Sequence, residues 1–175
     1  RGFDNFMRSL PDLQKKWPLL RVFIVGDNDK GYGNLHPSGQ PLRQVILNEL
    51  SHDLDLSRIH FLGRIPHSQL IALFQVSSVH VYLSYPFVLG WSLLEAMSCG
   101  CPVISSNSSS LPEVYGDAAL PFENNSLENL THCISKITTD TTLRNLLIKK
   151  GLQRSKNFSW TKCAEKTASA YKTLI

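Results

Sequence analysis

Short apolar runs alternate with helix-patterned segments along nearly the whole chain, and this alternation constrains the fold more than any single residue. "LRVFIVGD" (20–27), "RIHFLG" (58–63), "VHVYLS" (79–84) and "CPVIS" (101–105) have the length and composition of strands. Between them, "FDNFMRSLPDLQKKWP" places Phe3, Phe6, Met7, Leu10 and Leu13 at helical spacing and stops at Pro18. "LRQVILNELSHDL" sets Leu42, Val45, Ile46, Leu50 and Leu54 on one helix face, and "PHSQLIALFQVS" reads as a helix opened by Pro66. After "WSLLEAMSCG", "EVYGDAALPF" reads as a turn and an edge strand, and everything from Ser126 onward is helical. Strands that alternate with helices require right-handed crossovers and a parallel sheet. The expected fold is therefore α/β, a Rossmann-like doubly wound parallel sheet with helices on both faces. The first run, closed by Gly26, reads as a strand buried on both faces.

Composition narrows the class. At 175 residues, with 42% hydrophobic and 18% charged residues, the chain suits one globular domain. No apolar run reaches the roughly 20 residues that span a bilayer, and "RGFDNFMRSL" lacks a signal peptide's apolar centre. The start reads as a chain joined in mid-gene. The net charge of +4 is scattered, without a basic run interleaved with aromatics, so nucleic acid is not an expected partner. Such a surface suits phosphorylated small molecules or an anionic membrane face. Cys99, Cys101, Cys133 and Cys163 lack zinc-ligand or disulfide-framework spacing and read as reduced, buried residues of a cytosolic protein. No metal site is expected.

On a doubly wound sheet, ligands bind at the carboxyl ends of strands. The loop "GDNDKGYG" after the first strand has neither G-x-G-x-x-G spacing nor a following GK[ST], so the usual NAD and ATP fingerprints are missing. "YPFVLGWSLLEAMSCGCPVIS" (85–105) is more specific. Ser92 and Glu95 match an S-x-x-E capping box, with Ser92 as the expected N-cap and Gly100 near the helix end. Gly90 would let a ligand approach the backbone, and the amides of Trp91 to Leu94 would form an anion site at the helix's positive end.

"GWSLLEAMSCGCPVISSNSSSLPEV" resembles the nucleotide-sugar motif of family-four retaining glycosyltransferases, in which two glutamates precede A-M-A-x-G-x-P-V and a later P-E-V. "RVFIVGD", "IHFLGRIPHSQLIALFQVSSVHVYLSYP", "SLPEVYGDAAL" and "FSW" follow in the family's order, so the resemblance covers essentially the whole chain. It implies one half of a GT-B enzyme, the half that binds a nucleoside-diphosphate sugar. Residues 1–157 would form the nucleotide-sugar-binding domain, and 158–175 a C-terminal helix packing back toward an N-terminal acceptor-binding domain. That domain, and the first strand of this one, would lie outside the 175 residues.

The resemblance implies roles residue by residue. Glu95 matches the glutamate that binds the ribose hydroxyls. Gly90, Trp91, Ser92 and Leu93 match the loop and helix start that face the donor phosphates. Gly26 closes a strand at the same end, Arg64 and Ile65 match the segment lining the nucleobase, and Arg1 matches a cation that neutralises the leaving diphosphate. The catalytic set would be Arg1 and Glu95, with no metal and no cofactor beyond the sugar donor. Phe87 departs from the pattern, standing where the family's first glutamate contacts the transferred sugar. The expected activity is transfer of a sugar to a hydroxyl acceptor in polysaccharide or glycolipid synthesis. Its expected place is the cytoplasm, with peripheral contact at the inner membrane face. A nucleotide-binding or scaffolding module that has lost its chemistry is the alternative. In simpler readings, Glu95 only caps its helix, Arg64 is a surface cation, and Phe87 and Trp91 are core aromatics.

Overall fold

The computed structural model describes residues 2–27, 37–84, 88–123 and 127–173. Its elements follow the expected alternation, except that a short helix over Leu111–Tyr115 stands where a turn was expected: α1 (Phe3–Lys16), β1 (Val22–Val25), α2 (Leu42–Glu49), β2 (Ile59–Gly63), α3 (His67–Val76), β3 (His80–Tyr82) and α4 (Trp91–Ser98). β4 (Val103–Ser106), α5 (Leu111–Tyr115), β5 (Ala119–Phe122), α6 (Leu127–Thr139), α7 (Thr141–Ser155) and α8 (Trp160–Lys172) complete the chain. α7 and α8 begin where the side chains of Asp140 and Ser159 accept the amides of Leu143 and Lys162, as N-caps do.

All strand pairs are parallel, but among the described residues they form two ladders rather than one. β1 pairs with β2, and β3, β4 and β5 pair in that order. The chain is an α/β domain with helices on both faces, and β4 shows why. All four of its residues are buried, and neighbouring strand residues point to opposite faces. Ile104 joins a core with Met7 and Leu10 of α1, Phe122, and Leu130 and Ile137 of α6. Val103 joins a second core with Leu93 and Met97 of α4, Phe74 of α3 and Leu111 of α5.

β1 differs from its expected double burial. Val22 is buried, but Phe23 and Val25 are 44% and 38% exposed. Phe23 lies opposite His60 of β2, and the two rings stack with centroids 5.0 Å apart. The outer face of this ladder thus carries a cross-strand aromatic pair. An apolar run records hydrophobicity and not which faces a helix will cover.

Arg154, in the last turn of α7, fastens α5. Its Nε donates to the Val114 carbonyl at 2.9 Å, its Nη2 donates to the Glu113 carbonyl, and its guanidinium lies 5.3 Å from the Phe158 ring centre. Carbonyls at a helix C-terminus have no partner within the helix, and a cation is favoured there. Arg154→Ala is expected to lower stability by about 2 kcal/mol, the scale of hydrogen bonds to a charged group. Urea unfolding tests this, and an unchanged midpoint would show that water serves those carbonyls equally well.

Candidate functional site

The carboxyl end of β3 collects two helix N-termini. Gly2, the N-cap of α1, has φ +67°, and a Cβ there would lie 2.4 Å from the Leu83 carbonyl oxygen. Gly90, the N-cap of α4, has φ +75°, and a Cβ there would lie 3.2 Å from three atoms of the Tyr82 ring. Only glycine adopts such a conformation without strain and also allows these approaches. At the same strand end, the Ser106 hydroxyl donates to the Ser84 carbonyl at 2.8 Å and accepts from the Ser84 amide at 3.1 Å. The buried Ser84 hydroxyl has no partner among the described residues.

α4 starts two residues earlier than the S-x-x-E pattern suggests. Gly90 is the N-cap, so Ser92 is the second helical residue and no side chain caps the helix. Tertiary contact decides this: the Tyr82 ring fills the place that a side chain at 90 would need, which is also the space expected to admit a ligand. The amides of Leu93 and Leu94 both donate to the Gly90 carbonyl, at 3.1 and 3.3 Å. The Leu93 side chain is fully buried. The amides of Trp91 and Ser92 have no acceptor among the described residues and remain the first-turn donors of α4.

Glu95, freed from capping, reaches α3. Its Oε1 lies 3.1 Å from Nε2 of His67, with side-chain exposures of 31% for Glu95 and 65% for His67. A second pair marks the ends of β1 and β2: Arg64 Nε lies 3.2 Å from Asp27 Oδ2, and the Gly26 amide donates to the Gly63 carbonyl at 2.9 Å. Among the described residues, nothing stands within 4 Å of where a Gly26 side chain would project. Ile65 follows, half-buried, just before α3. Trp91 is 53% exposed rather than a core aromatic, and its ring centroid is 5.4 Å from that of the exposed Trp160.

Gly26, Arg64 and Ile65 are therefore placed at or just beyond the carboxyl ends of β1 and β2, and Gly90, Trp91, Ser92 and Glu95 on the first two turns of the helix that follows β3. Arg1 and Phe87 lie outside the described residues. Sequence reasoning missed His67, Asp27, Tyr82 and Trp160. His67 had a local signal, as the first helical residue after Pro66, directly following the segment read as nucleobase-lining.

Among the described residues, no group of three His, Cys, Asp or Glu side chains could hold a metal ion. None of the described helices is long and apolar enough to cross a membrane. Cys101 and Cys133 are buried, Cys99 is half-buried and Cys163 is exposed, so burial holds for only part of the set. Burial pushes the Cys101 thiol up to about 12, which makes it a poor nucleophile.

Residues 1–154 match the family described as Glycosyl transferases group 1. The chain belongs to that family. This group 1 glycosyltransferase chain is 40% identical over 116 residues to the O-antigen chain mannosyltransferase B of Escherichia coli, covering 66% of this chain and 30% of that protein. The fold is that of GT-B glycosyltransferases. It superposes on the sucrose-phosphate synthase of Thermosynechococcus elongatus with a TM-score of 0.78 at 23% identity, over 99% of this chain and 42% of that one. It superposes on Anabaena Alr3699/HepE, solved in complex with UDP, with a TM-score of 0.77 at 18% identity, over 99% and 45%. The chain thus spans under a third of its mannosyltransferase relative and under half of these two structures.

Proposed function

We propose that this chain is the donor-binding part of a retaining glycosyltransferase, which holds a nucleoside-diphosphate sugar for transfer to a hydroxyl acceptor in polysaccharide or glycolipid synthesis. One observation carries the reading: Gly2 and Gly90 bring the N-termini of α1 and α4 together at the end of β3, with Glu95 one turn along α4. Helix N-termini carry partial positive charge and unused amides, which suit a diphosphate. In transfer, negative charge grows on the departing diphosphate, and donors already aimed at it lower the barrier. Trp91 and Ser92 would supply amides to that oxyanion. Arg1 would add a full charge, in the role that the family resemblance implies. Glu95, a turn away from the anion, would accept from the ribose hydroxyls. Charge neutralisation then rests on helix ends and a cation, so a chelator should leave nucleotide affinity unchanged.

The same reading accounts for the split sheet. A strand leading into α1 would run between β1 and β3, because the start of α1 lies against Leu83 and a parallel crossover returns beside its first strand. An acceptor-binding domain would precede that strand, and α8 would pack back toward it. All of α8 is exposed, from Trp160 to Lys172, which leaves it free to do so. A cytoplasmic location with peripheral contact at an anionic membrane face accords with the net charge of +4.

Calorimetric titration with UDP, GDP and ADP tests the proposal. Binding of at least one is expected, and silence from all three at millimolar concentration would overturn it. Glu95→Gln is expected to weaken binding by roughly 1–3 kcal/mol, the cost of one lost buried hydrogen-bond partner. Full affinity in a folded variant would remove Glu95 from the ribose. Phe87 favours a second reading, a module that binds nucleotide without chemistry, because it replaces the acid that contacts the transferred sugar. Nucleotide binding without transfer by the full-length protein would select that reading.

A further inference from the structure

We infer that His67 is a positioning residue for the donor site: it fixes the Glu95 carboxylate so that its second oxygen is presented to the ribose. The inference rests on the reading of Glu95 as the ribose ligand. It comes from a side chain that lies outside the glycine-helix-acid motif.

The contact is built into helix packing. His67 is the first residue of α3, and Leu70 and Phe74 follow it at spacings of three and seven, on one helix face. Phe74 is buried, Leu70 packs beside it, and both join the core that contains Leu93, Leu94, Ala96 and Met97 of α4. Glu95 therefore sits on a helix whose distance from α3 is set by packed side chains on either side of it in sequence. Given that spacing, Nε2 of His67 meets Oε1 of Glu95 at 3.1 Å.

A carboxylate offers about four acceptor positions on its two oxygens. His67 Nε2–H takes one position on Oε1, which leaves Oε2 wholly available to a diol. The bond also removes rotational freedom from a flexible side chain before the nucleotide arrives, so less ordering is left for the binding step. His67 need not touch the nucleotide to act. Its effect should therefore appear only where the ligand has hydroxyls for Glu95 to accept from.

The experiment uses this chain with whichever of UDP, GDP and ADP binds most tightly, together with its 2′,3′-dideoxy analogue. Affinities are measured calorimetrically for wild type, His67→Ala, His67→Gln and Glu95→Gln, with circular dichroism to verify folding. Wild type should prefer the ribonucleotide. Glu95→Gln should largely abolish that preference. His67→Ala should lose about three- to tenfold in ribonucleotide affinity, the scale of one hydrogen bond, with dideoxy affinity unchanged. His67→Gln carries an amide donor of similar reach and should recover most of the loss. Wild-type ribonucleotide affinity in His67→Ala, or equal losses for both ligands, would overturn the positioning role while leaving Glu95 in place. A ribose preference that survives Glu95→Gln would overturn the assignment of Glu95 and the role of His67 with it.

Discussion

Gly90→Val should destabilise the protein by roughly 2–5 kcal/mol and remove measurable nucleotide binding. Two costs add at this position. A left-handed backbone costs an L-residue about 1–2 kcal/mol, and a β-branched side chain tolerates it least. The new Cβ would also press on the Tyr82 ring from 3.2 Å, and overpacking of this kind costs about 1–3 kcal/mol. Either adjustment moves the first turn of α4, and with it the amides of Trp91 and Ser92. Gly90→Ala should fall between wild type and valine. Adding Tyr82→Ala to Gly90→Ala should relieve the contact but not the backbone strain, so urea unfolding of wild type, Gly90→Ala, Tyr82→Ala and the double variant separates the two costs. Stability of the valine variant within about 0.5 kcal/mol of wild type would show that residue 90 is not held left-handed.

The second large effect depends on acid. His80, at the start of β3, lies edge-on to Phe74 with centroids 5.1 Å apart, and its Nε2 is buried without a partner among the described residues. The residue keeps some exposed surface, but this nitrogen does not. Burial lowers its pKa from 6.5 to about 4, because a cation there would lose its hydration. Between those two values the unfolded chain binds a proton that the folded chain refuses, so unfolding gains from acid. The stability contributed by the neutral ring is fully present above about pH 6.5 and is lost progressively as pH falls toward 4. It amounts to about 3 kcal/mol over that window, since each tenfold difference in proton affinity between the two states is worth about 1.4 kcal/mol. His80→Phe should flatten the profile between pH 6.5 and 4 and leave stability at pH 7 equal or higher, since no buried nitrogen is left unpaired. An unchanged slope in that variant would locate the acid sensitivity elsewhere. Asp55 and Asp117 act in a lower window. The Ser57 and Arg58 side chains hold Asp55, and Lys150 holds Asp117, below the ordinary carboxylate range, so their contributions are lost only at more acidic pH.

The order of elements was legible because helical and strand periodicities are local. Pro66 marked the start of α3, and the helical character of the segment after Ser126 appears as α6, α7 and α8. Contacts between distant segments were not legible. The box of Ser92 and Glu95 is a sound local pattern, yet Gly90 is the N-cap because Tyr82, on another element, fits only against a glycine. Glu95 was visible as an acid in a motif, but its partner His67 lies 28 residues away, and no periodicity joins them. Trp91 and Trp160 meet by the same kind of long-range packing. The exposure of Phe23 was hidden because hydrophobicity carries no record of what covers a face.

The break between the two ladders bears on how the fold holds together. No backbone hydrogen bonds join β1 to β3 among the described residues, yet Val22 and Ile59 on one side share a single cluster with Leu83, Ile104 and Phe122 on the other. Among the described residues the two ladders are thus joined through side chains, and Met7, Leu10 and Leu13 of α1 belong to the cluster they share. The helix whose first turn is aimed at the candidate phosphate site is also part of the one core to which both ladders contribute.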